Sequence, residues 1–195
     1  MIPTSSKVSV VLRGRIERQG DVITEASSSV TLIQSASGTV IVDTAAPKDK
    51  LEISSALGKL RVSPLEVDTV VNTHMHIDHC GCNDMFANAK VYAHALDEPP
   101  AGTIRVSGPT TLMPGAEIVP TPGHTRGSIS VFVDAERKYA ICGDAIPTKA
   151  NYDSRVPPFI AFDRKFATRS MELILAWADV VVPGHDGSFE VMGKK

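Results

Sequence analysis

Val67-Asp68-Thr69-Val70-Val71-Asn72-Thr73-His74-Met75-His76-Ile77-Asp78-His79 joins a β-branched run to four side chains of the kinds that can bind metals. Val67 to Val71 reads as a buried strand, and it runs directly into Asn72-Thr73-His74. At this composition, random placement yields H-x-H-x-D-H with a probability on the order of 4 × 10⁻⁴, so the match is specific for so short a motif. A loop just past a buried strand can turn several side chains toward one point. Three imidazoles and a carboxylate crowded there suit Zn or Fe, which accept borderline nitrogen and hard oxygen ligands.

Three more such residues follow other predicted strands. His124 lies in Thr121-Pro122-Gly123-His124-Thr125, Asp144 in Cys142-Gly143-Asp144, and His185 in Pro183-Gly184-His185. In each, a glycine lets the backbone bend sharply beside the candidate ligand. Five of the six histidines therefore belong to strand-end loops. The sixth, His94, also follows a strand but matches no ligand position, which leaves it a surface or supporting role.

The surrounding pattern alternates short strands with helical stretches. Val8 to Ile16, Val30 to Ile33 and Val40 to Val42 read as consecutive strands, with Ser37-Gly38 turning between the last two. Pro47 suits a first helical turn, and Leu51, Ile53, Ala56, Leu57 and Leu60 give the next segment an apolar face. A short helix is expected around Asp84 to Ala87 and a strand at Lys90 to Ala93. The second half repeats this grammar, with strands at Thr103 to Val106, Glu117 to Val119, Ser128 to Val133, Lys138 to Cys142 and Val180 to Val182. Phe162, Phe166, Leu173, Ile174 and Trp177 recur at helical spacing and predict a core-facing stripe. No low-complexity linker interrupts the chain. Residues 1–195 thus read as one α/β domain of two similar halves, its sheets lying between helical layers.

Composition removes other classes. The chain has 195 residues, with 20 Lys+Arg against 22 Asp+Glu, so its net charge is -2. A content of 43% hydrophobic and 22% charged residues argues against disorder. The charge balance excludes a generally basic nucleic-acid coat, though not a local patch. No stretch approaches the roughly 18 apolar residues of a membrane span, so no membrane partner is expected. The start, Met1 to Lys7, lacks a signal peptide's apolar region. Cys80, Cys82 and Cys142 cannot all pair with one another, which points to a reducing, cytoplasmic setting. Cys80 and Cys82 read as packing residues or, alternatively, as soft-metal ligands, and Cys142 as a residue packed in its strand.

Over nearly its whole length the chain resembles the metallo-β-lactamase-fold hydrolase superfamily. The resemblance rests on the string from His74 to His79, the Thr121-Pro122-Gly123-His124 turn, Asp144, and Ala178-Asp179-Val180-Val181-Val182-Pro183-Gly184-His185 followed by Phe189. It implies a four-layer αββα sandwich with a dinuclear metal site in the cleft between the sheet edges. Carried over residue by residue, His74, His76 and His124 would hold the first metal, Asp78, His79 and His185 the second, and Asp144 would bridge them. The implied cofactors are two divalent ions, zinc foremost, with iron or manganese as alternatives. The β-lactamases themselves typically lack the bridging carboxylate, so antibiotic hydrolysis is not implied.

The implied reaction is hydrolysis of a small ester, thioester or lactone by a metal-bound hydroxide, with Asp78 orienting that hydroxide while it ligates. The alternatives are a metal-dependent nuclease or phosphodiesterase acting on RNA, and a mononuclear iron sulfur dioxygenase. Candidate substrate-binding residues are Arg126, the cation nearest a ligand in sequence, with Lys149 and Tyr152 in the proline-rich segment after Asp144. That segment is either a substrate rim or only a connection between the halves. Should these cations play no part, recognition falls to apolar fit around Phe159 and Ile160 or to a partner chain. A small molecule is the expected partner, with RNA as the alternative and a homo-oligomer left open.

Overall fold

Along Gly38–Val42, Val40 and Val42 point into one apolar cluster while Ile41 points into another, as the two-residue period of a strand requires. The computed structural model describes residues 6–20 and 22–193 and repeats this alternation through two six-stranded sheets. One sheet runs β1 (Lys7–Leu12), β4 (Val30–Ser35), β5 (Gly38–Val42), β6 (Thr69–Val71), β7 (Lys90–His94) and β8 (Ile104–Val106). Its pairs are antiparallel from β1 to β5 and parallel from β5 to β8. The other runs β14 (Phe189–Glu190), β13 (Val180–Pro183), β12 (Lys138–Gly143), β11 (Ile129–Asp134), β10 (Ala116–Pro120) and β9 (Thr110–Met113). Only its β12–β13 pair is parallel.

The two sheets meet through Ile33, Val40, Val42 and Val71 on one side and Ile118, Val131, Ile141 and Val182 on the other. The outer face of the first sheet, with Leu32, Ile41 and Val70, is covered by Ile53 and Leu57 of helix α1 (Lys50–Lys59). The outer face of the second, with Ala140, Cys142 and Val181, is covered by Met171 and Ile174 of helix α4 (Arg164–Trp177). Each fully buried aliphatic side chain contributes roughly 1.5–3 kcal/mol. The result is the expected α/β sandwich, helix on sheet on sheet on helix. No helix among the described residues is long and apolar enough to cross a membrane.

Several expectations need correction. The stretch Val8 to Ile16 is not one strand: it breaks at Arg13-Gly14, where the Gly14 N–H donates to Ser29 Oγ at 3.1 Å. Beyond the break, β2 (Arg15–Gln19) pairs with β3 (Val22–Ser27) as a separate hairpin. The helix expected at 84–87 is replaced by a one-turn helix α2 (Ile77–Cys80) and a 3₁₀ turn over 83–85. The α4 stripe is also rotated. Phe162, Phe166 and Leu173 are exposed, whereas Ala167, Ser170, Met171 and Ile174 face inward. The small Ala167 and Ser170 let the helix lie close against the Pro122–Gly123 turn, where Ser170 Oγ donates to the Pro122 carbonyl at 2.7 Å. From the stripe, Ile174 is buried and Trp177 stacks on Phe132 with ring centroids 4.4 Å apart.

Candidate metal centre

The C-terminal ends of β5, β6, β10, β12 and β13 open on one side of the sandwich, and each carries a polar residue into the same space. The turn after β6 supplies His74 and His76, and the extended backbone of His76 (φ −68°, ψ 145°) starts α2, which supplies Asp78 and His79. His124 follows β10, Asp144 follows β12 and His185 follows β13. Two glycines make the approach feasible. Gly143 has φ +47°, and a Cβ there would lie 2.2 Å from Thr73 Oγ1; a Cβ on Gly184 would lie 2.0 Å from Asp144 Oδ1.

All seven candidate ligands are brought together. Ligand atoms of His74, His76 and His124 lie within 4.8 Å of one another, as do those of Asp78, His79 and His185, and those of His74, His79 and Asp144. In the first group His76 Nδ1 is 3.0 Å from His74 Nε2 and 3.1 Å from His124 Nε2. In the second, His79 Nε2 and His185 Nε2 are 3.4 Å apart, and Asp78 Oδ2 is 3.6 Å from His185 Nε2. Asp144 lies between the groups. Its Oδ1 is 3.2 Å from His185 Nε2 and 3.5 Å from His79 Nε2, and its Oδ2 is 3.5 Å from His124 Nε2. Asp144 Oδ1 is nevertheless buried without a hydrogen bond, an expensive state for a carboxylate unless a cation meets it. The donor set fits divalent metal ions.

The opposite edges of the rings are fixed by acceptors. His124 Nδ1 lies 2.7 Å from the Ile160 carbonyl, and His185 Nδ1 lies 3.0 Å from the Ser27 carbonyl. A carbonyl accepts only, so each Nδ1 carries the proton and leaves an Nε2 lone pair facing the cluster. Asp43 plays this part for His79, with Oδ2 2.8 Å from Nδ1. Asp43 is buried, and it also accepts from the Thr73 N–H and Thr73 Oγ1, both at 2.7 Å. It was not singled out from the sequence, although it follows Val40-Ile41-Val42 as Asp144 follows its own strand. It occupies a left-handed conformation (φ 57°) that Asp tolerates better than most residues.

The electrostatics divide the cluster. Burial and the neighbouring His79 hold His74 well below the usual imidazole range, and burial with His124 lowers His76. For His79, burial is outweighed by Asp43 and Asp144, which push its pKa up to about 10. Against its own burial, Asp144 is held well below the usual carboxylate range by His185 and His79.

Above the cluster lies a cavity of about 350 Å³. One wall is the β2–β3 hairpin, through Ile16, Arg18, Ile23 and Ala26; the other carries Ile77, Pro147, Pro158, Phe159 and Ile160. Arg126, Lys149 and Tyr152, expected as the rim, do not line it. The Arg126 guanidinium stacks 4.5 Å over the Phe162 ring. Residues 149–154 coil into helix α3 (Lys149–Ser154), which pairs Lys149 Nζ with Asp153 at 2.7 Å and turns Tyr152 into the core beside Phe189. The alternative, Phe159 and Ile160, does line the cavity. Cys82 and Cys142 are buried and Cys80 is half-buried, all three as free thiols. His94 is buried at the end of β7, and its Nδ1 accepts from the Leu96 N–H at 3.2 Å.

Comparison with known proteins bears on this geometry. A family model of the metallo-beta-lactamase superfamily matches residues 23–109. A Methanocaldococcus jannaschii protein named "Probable metallo-hydrolase" is 35% identical over 180 residues, 92% of this chain and 87% of the relative. Metallo-beta-lactamase domain-containing protein 1 of Xenopus laevis is 33% identical over 95% of this chain and 82% of its own length. Among solved structures, an N-acyl homoserine lactone hydrolase with the product N-hexanoyl-L-homoserine bound at the catalytic metal center matches with a TM-score of 0.73. That match covers 95% of this chain and 94% of the other at 19% identity, a likeness of fold.

Proposed function

The chain belongs to the metallo-beta-lactamase superfamily of metal-dependent hydrolases, and from that premise we propose that it uses two zinc ions to hydrolyse small esters, thioesters or lactones. His74, His76 and His124 would hold one ion, and Asp78, His79 and His185 the other, with Asp144 shared. The observation that carries this reading is Asp144, whose two oxygens face the two histidine groups separately. When bound, a pair of divalent ions acidifies a water for attack and polarises the substrate oxygen.

The chain's own residues set the rest of the chemistry. Asp78 has a side chain 20% exposed beside the cavity, where its carboxylate can receive and hold the proton shed by the attacking water. Asp43 and the Ser27 and Ile160 carbonyls hold the imidazoles in orientation. The apolar walls favour an acyl substrate over RNA. A polynucleotide needs a row of cations along its phosphates, and Arg18 is the only Lys or Arg among the described lining residues. Substrate contacts then fall to the lining residues rather than to Arg126, Lys149 and Tyr152. The free thiols favour a reducing, cytoplasmic setting.

A panel of thioesters, lactones, phosphodiesters and single-stranded RNA tests the reading. Turnover of an acyl substrate that is independent of oxygen, abolished by chelation and restored by zinc is the expected result. Cleavage confined to RNA, or a reaction that consumes oxygen, would contradict it.

A further inference from the structure

The hairpin wall is aimed by a defect in its own ladder. Arg15 pairs with Ser27, Ile16 with Ala26 and Glu17 with Glu25, but Arg18 then pairs with Ile23, so Thr24 is an extra residue. A regular strand would have put Ala26, Thr24 and Val22 on one face. The bulge shifts that alternation by one, so Ile23 joins Ala26, Ile16 and Arg18 toward the cavity.

The base of the hairpin is anchored. Buried Asp49 accepts from Arg15 and from Ser27 Oγ, while Lys48 pairs with Glu25. The remaining cation of β2 is left over. Arg18 is exposed, and it forms no ion pair with any described residue, unlike Arg13 and Arg15. Across from it, Phe159 is 79% exposed and Ile77 65% exposed, large apolar side chains held open beside the metal centre.

We propose that Arg18 is a specificity-determining residue that binds an anionic group, a carboxylate or a phosphate, at the end of the substrate away from the metals. The substrate class is then an ester, thioester or lactone with three parts. The scissile group sits at the metal cluster, an apolar segment lies against Phe159 and Ile77, and a terminal anion reaches Arg18. This rests on the hydrolase reading for the scissile group, but the position of Arg18 on the cavity wall does not.

The probes are product-like α,ω-dicarboxylates from succinate to suberate, each against its own monoamide. Binding to the purified, zinc-supplemented protein is measured by calorimetry in wild type, Arg18→Gln and Arg18→Lys. With one carboxylate of each probe at the metal end, the dicarboxylate and its monoamide would differ in the charge at the far end. At the length that spans the cavity, wild type should prefer the dicarboxylate by about tenfold, between an exposed ion pair and a buried charge-assisted hydrogen bond. Arg18→Gln should bring the two ligands level, Arg18→Lys should keep part of the preference, and about 0.5 M salt should shrink it. Equal binding of both ligands by wild type at every length would overturn the proposal, as would a preference that survives in Arg18→Gln. Thioesters of the same acids form a second arm. A binding preference without their hydrolysis would contradict the hydrolase reading alone, and hydrolysis without the preference would contradict Arg18 alone.

Discussion

At the scale of single residues, Asp43 decides how His79 presents itself. By accepting the Nδ1 proton it leaves Nε2 to face Asp144 and His185. Partners of this kind typically control metal affinity by 10- to 100-fold. Asp43→Ala is therefore expected to weaken zinc binding by about that factor in a chelator competition, and unchanged affinity would remove Asp43 from the account. The sign of the pH effect follows from the same pair. With its pKa raised to about 10, His79 is an imidazolium at pH 7.5 in the metal-free chain and must shed that proton to become a ligand. Zinc loading at pH 7.5 should thus release a proton into a weakly buffered indicator solution. The release should fade as the pH rises through 10, and it should diminish in Asp43→Ala. Asp43 was nonetheless illegible in the sequence. Asp144 was found because Gly143-Asp144 completes a recognisable set, whereas Asp43 lies outside the candidate ligand groups and one carboxylate among many carries no spacing signal.

At the scale of elements, helix α4 shows where periodicity misleads. The large apolar residues Phe166 and Leu173 sit at helical spacing yet face outward, because the inward face needs small residues against the Pro122–Gly123 turn. Ile174→Ala is expected to cost about 2–5 kcal/mol in denaturant unfolding. Leu173→Ala, removing a side chain left 46% exposed, should cost less than about 1 kcal/mol; equal losses would restore the expected stripe. Strands with continuous β-branched runs, such as Val180 to Val182, were legible because burial on both faces leaves no polar residue in them. The β2–β3 hairpin was not. Val22-Ile23-Thr24-Glu25-Ala26-Ser27 mixes polar and apolar residues, and its bulge breaks the alternation that sequence reading relies on. Arg18 was hidden for the same reason: its partner across the ladder exists only once the hairpin has formed.

At the scale of the whole molecule, two sheets share one apolar interior, and the ligands come from loops of both. Ligand binding across such a seam stabilises the assembled state by mass action. Chelation should therefore lower the unfolding temperature by several degrees while keeping a single transition; two separate transitions would mean that the layers fold independently. The central claim is that Asp144 joins two metal ions held by histidines from both sheets. Native mass spectrometry of the zinc-loaded chain, with Asp144→Ala alongside, tests it most directly. Two ions per wild-type chain and fewer in the variant are the expected result. A single ion in wild type, or two ions held as tightly by Asp144→Ala, would contradict it.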